Sequence, residues 1–144
     1  MTKSAGIALV FIILTGCASN EFDLATDYAA LSAVKSIYVS DFGDDDGSNL
    51  VREKLLVRLI NSRRFSVAET ESSADALLVG SAGVSERISD GNTDYSGNGL
   101  LRLIDVNSRA TIWGHQYRRS FMLVGSVSSK VANQFADQLL IDAR

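Results

Sequence analysis

The only cysteine of the chain, Cys17, directly follows a short apolar run, and this limits which part of the chain can fold. Lys3 is the only charge before an uncharged, largely apolar stretch from Ala5 to Leu14. A short positive segment followed by such a run is typical of a secretory signal peptide. The run of about 10 residues is half of the roughly 20 that a bilayer-spanning helix needs. We therefore expect residues 1–16 to be removed.

The residues around the cysteine carry a second signal. Leu14, Thr15, Gly16 and Cys17 resemble the lipobox of bacterial lipoproteins. In those proteins the leader is cleaved before a cysteine whose sulfur carries diacylglycerol, and the new amine is acylated. The resemblance implies that Cys17 is lipidated. Ala18, rather than Asp, follows it, which by resemblance to the Gram-negative sorting rule implies the outer membrane, facing the periplasm. The alternative is a lone cysteine that falls there by chance.

The remaining chain is the size of one domain. Removing residues 1–16 from the 144 leaves 128, enough for a single core. With Cys17 lipidated, no thiol remains for a disulfide or a thiolate metal site, so packing must supply the stability. The 14 Lys and Arg residues are scattered and fewer than the 17 Asp and Glu residues, which excludes nucleic acid as a partner.

The residue patterns predict an α+β fold, with a mixed sheet of about five strands and two main helices packed on it. The order is β-α-β-(short α)-β-β-β-α. We expect residues 17–34 to be a lipid-anchored linker and residues 35–144 to be the domain. Strands are predicted from Ser36 and at 64–68, 77–89, 100–106 and 110–120, with a helical turn at 72–76 and a mobile, Gly-rich loop at 90–99.

Apolar residues at helical spacing predict the two main helices. The first contains Leu50, Val51, Leu55, Leu59 and Ile60. Ser48 or Asn49 can cap it, and Asp44 to Asp46 favour its positive N-terminal end. The second begins near residue 126 and repeats Val127, Val131, Phe135 and Leu139.

Four segments in sequence suggest a family: SIYVSDF, LINSRRFSVAE, ADALLVGSAG and LRLIDVNSRATIW. Over residues 35–142 the chain resembles the envelope lipoproteins related to the penicillin-binding-protein activator lipoprotein B, the curli secretion lipoprotein G and the N-terminal domain of Tol translocation protein B. The matching positions are Arg64 to Glu69, Ala74-Asp75, Leu103 to Asp105 and Trp113, while Asn107-Ser108 replaces the usual Thr-Gly turn. The chain is too short for the membrane-inserting segments of a curli-type channel and lacks the long tether of the synthase activator. The resemblance therefore implies only the domain that these proteins share.

Residues capable of catalysis or metal binding are few. His115 is the only histidine, which excludes a multi-histidine metal site, and we interpret it as a packing or solvent-facing strand residue. Asp44 to Asp46 with Ser48 and Asn49 could offer oxygen ligands to Ca²⁺, but a solvated loop that stabilises a helix N-terminus also explains them. We expect no enzyme activity, no metal and no cofactor.

Three aromatic residues are candidates for partner contact. Trp113 and Tyr117 alternate on one strand, where they either form a binding face or lie in the core beneath the last helix. Tyr95, in the predicted loop, is a candidate exposed contact.

The functional hypothesis is a lipid-anchored, non-catalytic protein-binding or assembly module in the periplasm. Its partners would be envelope proteins, such as a peptidoglycan synthase or a secretion or surface-appendage complex, or copies of itself. The alternative is a small-ligand or glycan-binding lipoprotein, which would need a concave apolar pocket with convergent polar groups.

Overall fold

The computed structural model describes residues 22–121 and 127–144. The predicted signal peptide, the lipobox residues Leu14, Thr15 and Gly16, and the lipidation site Cys17 lie outside these ranges. The predicted α+β class is confirmed, since helices pack on a mixed sheet. None of the helices in the described ranges is long and apolar enough to cross a membrane.

The described residues form a six-stranded sheet in the order β1-β6-β5-β4-β2-β3. The strands are β1 (Phe22–Leu24), β2 (Ser36–Val39), β3 (Ser66–Val67), β4 (Ala76–Ser89), β5 (Asn92–Asp105) and β6 (Thr111–Phe121). The helices are α1 (Tyr28–Ala33), α2 (Asp46–Ser62) and α3 (Val127–Asp142), with a 3-10 turn at Glu71–Ser73. Strand β2 pairs in parallel with β3 and β4, and the remaining pairs are antiparallel.

The segment 22–33, expected to be linker, belongs to the folded unit. Strand β1 pairs with β6, and Leu24 lies opposite Gly114, whose missing side chain leaves room for it. Leu31 of α1 is fully buried. A three-residue strand and a six-residue helix are too short to show a clear period, so neither could be predicted from the residue pattern.

Helix α2 begins at Asp46, earlier than expected, and neither Ser48 nor Asn49 is its cap. Asp45 is the N-cap residue, and its carboxylate accepts hydrogen bonds from the Ser48 amide at 3.0 Å and the Ser48 hydroxyl at 2.6 Å. The first of these bonds satisfies the Ser48 amide, which has no partner within the helix. The acidic run therefore does support the helix N-terminus, with Asp45 as the bonded member.

The prediction of a mobile loop at residues 90–99 is wrong. Strand β5 starts at Asn92, and the pairing with β4 continues to the Ser89–Asn92 pair. Only Asp90 and Gly91 form the turn, with φ of 51° and 79°. Positive φ at both central residues is what a two-residue type I′ hairpin requires, and Asp-Gly favours it. The Gly and Asn residues that suggested a loop lie on a strand.

The core lies between one face of the sheet and the helices α2 and α3. Phe135 of α3 packs directly on Gly99 of β5, where an added Cβ would come within 2.8 Å of the phenyl ring. The largest side chains buried between sheet and helices include Leu55, Leu59, Leu78, Leu101, Leu103, Trp113, Phe135 and Leu139. Packing of this kind is what a chain without disulfides needs for stability.

The end of α2 offers a test of backbone strain. Arg63, the C-cap residue, has φ 56° and ψ 10°, in the left-handed region. We expect Arg63→Gly to stabilise the domain by about 0.5–1 kcal/mol. Glycine relieves the strain of the left-handed conformation, and the higher entropy that it gives the unfolded chain offsets only part of this gain. Urea unfolding measures the change. Arg63→Ala is the matched control and should bring no gain, whereas equal effects of the two substitutions would contradict the explanation.

Candidate functional site

The candidate contact residues Trp113 and Tyr117, together with His115, lie in the core beneath α3. Their exposed fractions are 1%, 4% and 1% respectively. The Trp113 indole N–H donates to Oδ2 of Asp142 at 2.8 Å, and the His115 ring stacks on Trp113 with centroids 6.2 Å apart. The phenyl ring of Phe135 meets the His115 ring edge-on at 5.7 Å. Of the two placements the sequence allowed, the structure has the buried one.

Tyr95 lies on β5 and not on a loop. It pairs with Glu86 of β4 and is partly buried against the core, so it is less exposed than a residue of the predicted loop would be. Its role as a partner contact stays a prediction.

The acidic run before α2 has a structural role. The pKa of Asp45 is lowered, first by the hydroxyl of Ser48 and then by its amide. No group of three or more His, Cys, Asp or Glu side chains within the described ranges is placed to hold a metal ion.

The Ala74-Asp75 pair sets the register between β2 and β4. Oδ2 of Asp75 accepts hydrogen bonds from the amides of Lys35 and Ser36, both at 2.9 Å. These two donors are the main causes that lower the pKa of Asp75. The carboxylate therefore fixes the start of β2 beside the start of β4, which explains the motif as structural.

Arg64 joins three distant segments of the chain. Its guanidinium donates to the carbonyl oxygens of Ala143 at 3.0 Å, Val34 at 2.9 Å and Ser32 at 3.2 Å. It also lies over the ring of Phe65, 4.5 Å from its centroid. The Arg-Phe pair thus holds the end of the chain and the end of α1 against the start of β3.

Asp105 shapes the β5–β6 turn, in which Asn107 and Ser108 replace the usual Thr-Gly. Its Oδ1 accepts from the amides of Ser108 at 2.6 Å and Asn107 at 3.0 Å, and the Ser108 amide is the main cause of its lowered pKa. Arg109 takes the positive φ, 59°, and pairs with Glu71 at 3.1 Å. The sequence positions that carry the family resemblance therefore form turns, register contacts and core.

A groove between α2 and α3 is a surface that the sequence analysis did not identify. Its volume is about 380 Å³, and it is lined by Leu50, Glu53, Lys54, Val57, Arg58, Asn61, Ser129 and Asn133. Leu50 and Val57 are 42% and 57% exposed. Ile60 is also exposed, at 56%, so two of the five apolar residues at helical spacing lie outside the core, while Val51, Leu55 and Leu59 are buried.

The far end of the β4–β5 hairpin is a second exposed surface. We call residues 85–96 the arm. The side chains from Ser85 to Asn92 are all exposed, and Ile88 near its end is 72% exposed. At its base the hydroxyls of Ser85 and Ser96 are hydrogen-bonded across the strands at 2.6 Å.

Comparison with known proteins gives fold relatives only. No family model and no curated protein matches the chain. Among solved structures, a single-substitution variant of the PelC dodecamer of Paraburkholderia phytofirmans is similar at a TM-score of 0.65 and 16% identity, covering 87% of this chain and 99% of that one. A second crystal form gives 0.63 and 16%, covering 86% and 96%. An uncharacterized lipoprotein B of Nitrosomonas europaea matches at 0.41 and 15%, covering 78% and 84%.

The Asp75 carboxylate offers a pH test. Because its pKa is lowered from 3.8 in the folded state, its stabilising effect is present above pH 3.8 and is lost as the pH falls through the folded pKa. We expect Asp75→Asn to lower the urea midpoint of unfolding at pH 7. The difference in urea midpoint between the variant and the natural protein, here called the gap, should be smaller at pH 3. Asp44→Asn, at an exposed position, is the control and should show no comparable gap. A gap for Asp75→Asn that stays constant with pH would contradict the assignment.

Proposed function

We propose that this chain is an outer-membrane lipoprotein, anchored through a lipid on Cys17, whose domain is a non-catalytic assembly module in the periplasm that associates with copies of itself. The observation that carries the proposal is a lipobox placed directly before a domain similar in fold to a protein solved as a dodecamer. Other envelope proteins, which the sequence also suggested as partners, would bind to the assembled domain.

The distance from lipid to domain supports action at the membrane surface. Only residues 18–21 separate Cys17 from Phe22, the first residue of β1. Even a fully extended chain would span less than about 20 Å over this distance. The folded domain would therefore be held close to the lipid headgroups.

The chemistry of the titratable groups supports a non-catalytic role. His115 is packed among Trp113 and Phe135 in the core. The pKa values of Asp45, Asp75 and Asp105 are all lowered, mainly by backbone amides and Ser donors. A general acid at neutral pH needs the opposite shift.

The exposed apolar side chains support association between folded domains. Leu50, Val57 and Ile60 lie on the outer side of α2, and Ile88 lies on the arm. Apolar side chains at the centre of a contact, surrounded by polar residues, are typical of protein interfaces.

The small-ligand or glycan alternative has less support. Such a site needs a concave, mostly apolar pocket. The space beneath the sheet is filled by core side chains. The grooves on the described surface include one lined by Ser81, Asn98, Gln116 and Arg118 with Leu100, and another around Asp45 and Ser48. Both are surface depressions and not enclosed pockets.

The lipid anchor can be tested directly. We expect Cys17→Ser to abolish incorporation of labelled palmitate and to leave an unprocessed precursor, because the serine hydroxyl cannot form the thioether. Labelling of expressing cells, followed by gel analysis, measures both effects. Palmitate incorporation that persists in Cys17→Ser would overturn the anchor.

The same cells test the sorting step. Membrane separation on a sucrose gradient should place the natural protein in the outer-membrane fraction. Ala18→Asp should move it to the inner membrane, while Ala18→Ser, the matched control, should not.

Self-association predicts a defined mass for the natural protein. Purified from membranes in mild detergent, the lipidated chain should form a discrete oligomer in native mass spectrometry, and two differently tagged copies expressed together should purify together. A monomer at every concentration measured would contradict the assembly role while leaving the anchor intact.

A further inference from the structure

We propose that the arm of one copy docks in the α2–α3 groove of a neighbouring copy, with Ile88 against Val57 and Glu86 against Lys54. This inference rests on the self-association proposed above and names the two surfaces that carry it.

Among the residues of the described ranges, few pack against the side chains of the arm. A two-stranded hairpin without a packed face is marginally stable in water. Within the arm, Tyr95 is the residue that packs on the core, while the side chains from Ser85 to Asn92 are exposed. The strands nevertheless pair without interruption to Ser89 and Asn92. A surface that buries Ile88 would supply the missing packing.

The groove has the chemistry to receive an acidic, apolar strand end. Lys54 has no carboxylate within ion-pair distance among the residues of the described ranges, whereas Arg58 pairs with Asp137 at 2.7 Å. Leu50 and Val57 lie one turn before and one turn after Lys54 on the same side of α2. Because Arg58 is already paired, Lys54 is the cation of the groove lining that can attract an incoming carboxylate, and Glu53 is the acidic residue beside it.

The arm presents a matching pair of side chains. Glu86 and Ile88 are two positions apart on one strand and therefore point to the same face, roughly 7 Å apart. Lys54 and Val57, three positions apart on a helix, have a similar spacing of about 5–6 Å. The arm is also acidic overall, since Glu86, Asp90 and Asp94 outnumber Arg87. Both charge and spacing are therefore complementary.

The two surfaces lie on different parts of the same copy. A contact between unlike surfaces is heterologous, so each copy that receives an arm can extend its own arm to the next. Such a chain of contacts produces a closed ring when the rotation between copies closes on itself.

A charge exchange tests this contact in the full-length, lipidated protein in detergent. Glu86→Lys and Lys54→Glu should each weaken association by roughly tenfold or more, because each places like charges together. The double variant should restore the native mass, because the pair is then reversed. Arg87→Glu, on the opposite face of the arm, is the matched control and should leave the mass unchanged. Circular dichroism checks that every variant folds.

The outcomes separate this inference from the proposed function. A natural protein that is monomeric overturns both. If the natural protein is oligomeric and neither Glu86→Lys nor Lys54→Glu changes its mass, the arm-to-groove contact alone is overturned. A double variant that stays dissociated has the same meaning. Loss in each single variant with recovery in the double supports the contact.

Discussion

The packing of α3 on the middle of the sheet is the interaction on which the other features depend. Phe135 can approach β5 because Gly99 has no side chain, and its ring then meets His115 and Tyr117 of β6. At the end of the same helix Asp142 accepts the Trp113 indole N–H. The packing of α3 thus places the aromatic face of β6 in the core. The surfaces that remain exposed are the solvent side of the helices and the end of the β4–β5 hairpin.

Polar contacts determine how the peripheral segments attach to that core. Arg64 binds carbonyl oxygens from two separate segments, and Asp75 binds the amides that open β2. Each of these bonds satisfies backbone groups at an element end, where a regular helix or sheet leaves them without partners. The fold alone therefore accounts for these residues. The positions specify how the strands and helices are joined, and the exposed surface is free to differ.

The long periodic elements could be predicted from the sequence, because a buried face repeats its apolar residues at a fixed interval. The stripe through Val131, Phe135 and Leu139 gave α3, and alternation gave β6. The predictions were wrong where the local composition favours a loop but pairing with neighbouring strands holds the segment extended. Residues 92–99 are rich in Gly and Asn, yet pairing with β4 and β6 holds them as a strand. The groove could not be predicted, since it depends on how α2 and α3 lie beside each other, and periodicity does not report which apolar residues of a helix remain outside.

The position of the lipid adds a constraint to the proposed assembly. If Cys17 is anchored, each domain is held at β1, an edge of the sheet next to β6, within about 20 Å of the headgroups. All copies would then be held to the membrane by the same edge of the sheet, which removes part of the rotational freedom that association in solution must lose. Tethering also raises the effective concentration of one copy near another. A modest contact, such as one isoleucine and one ion pair per arm, can therefore be sufficient on a membrane surface where it would be weak between free domains.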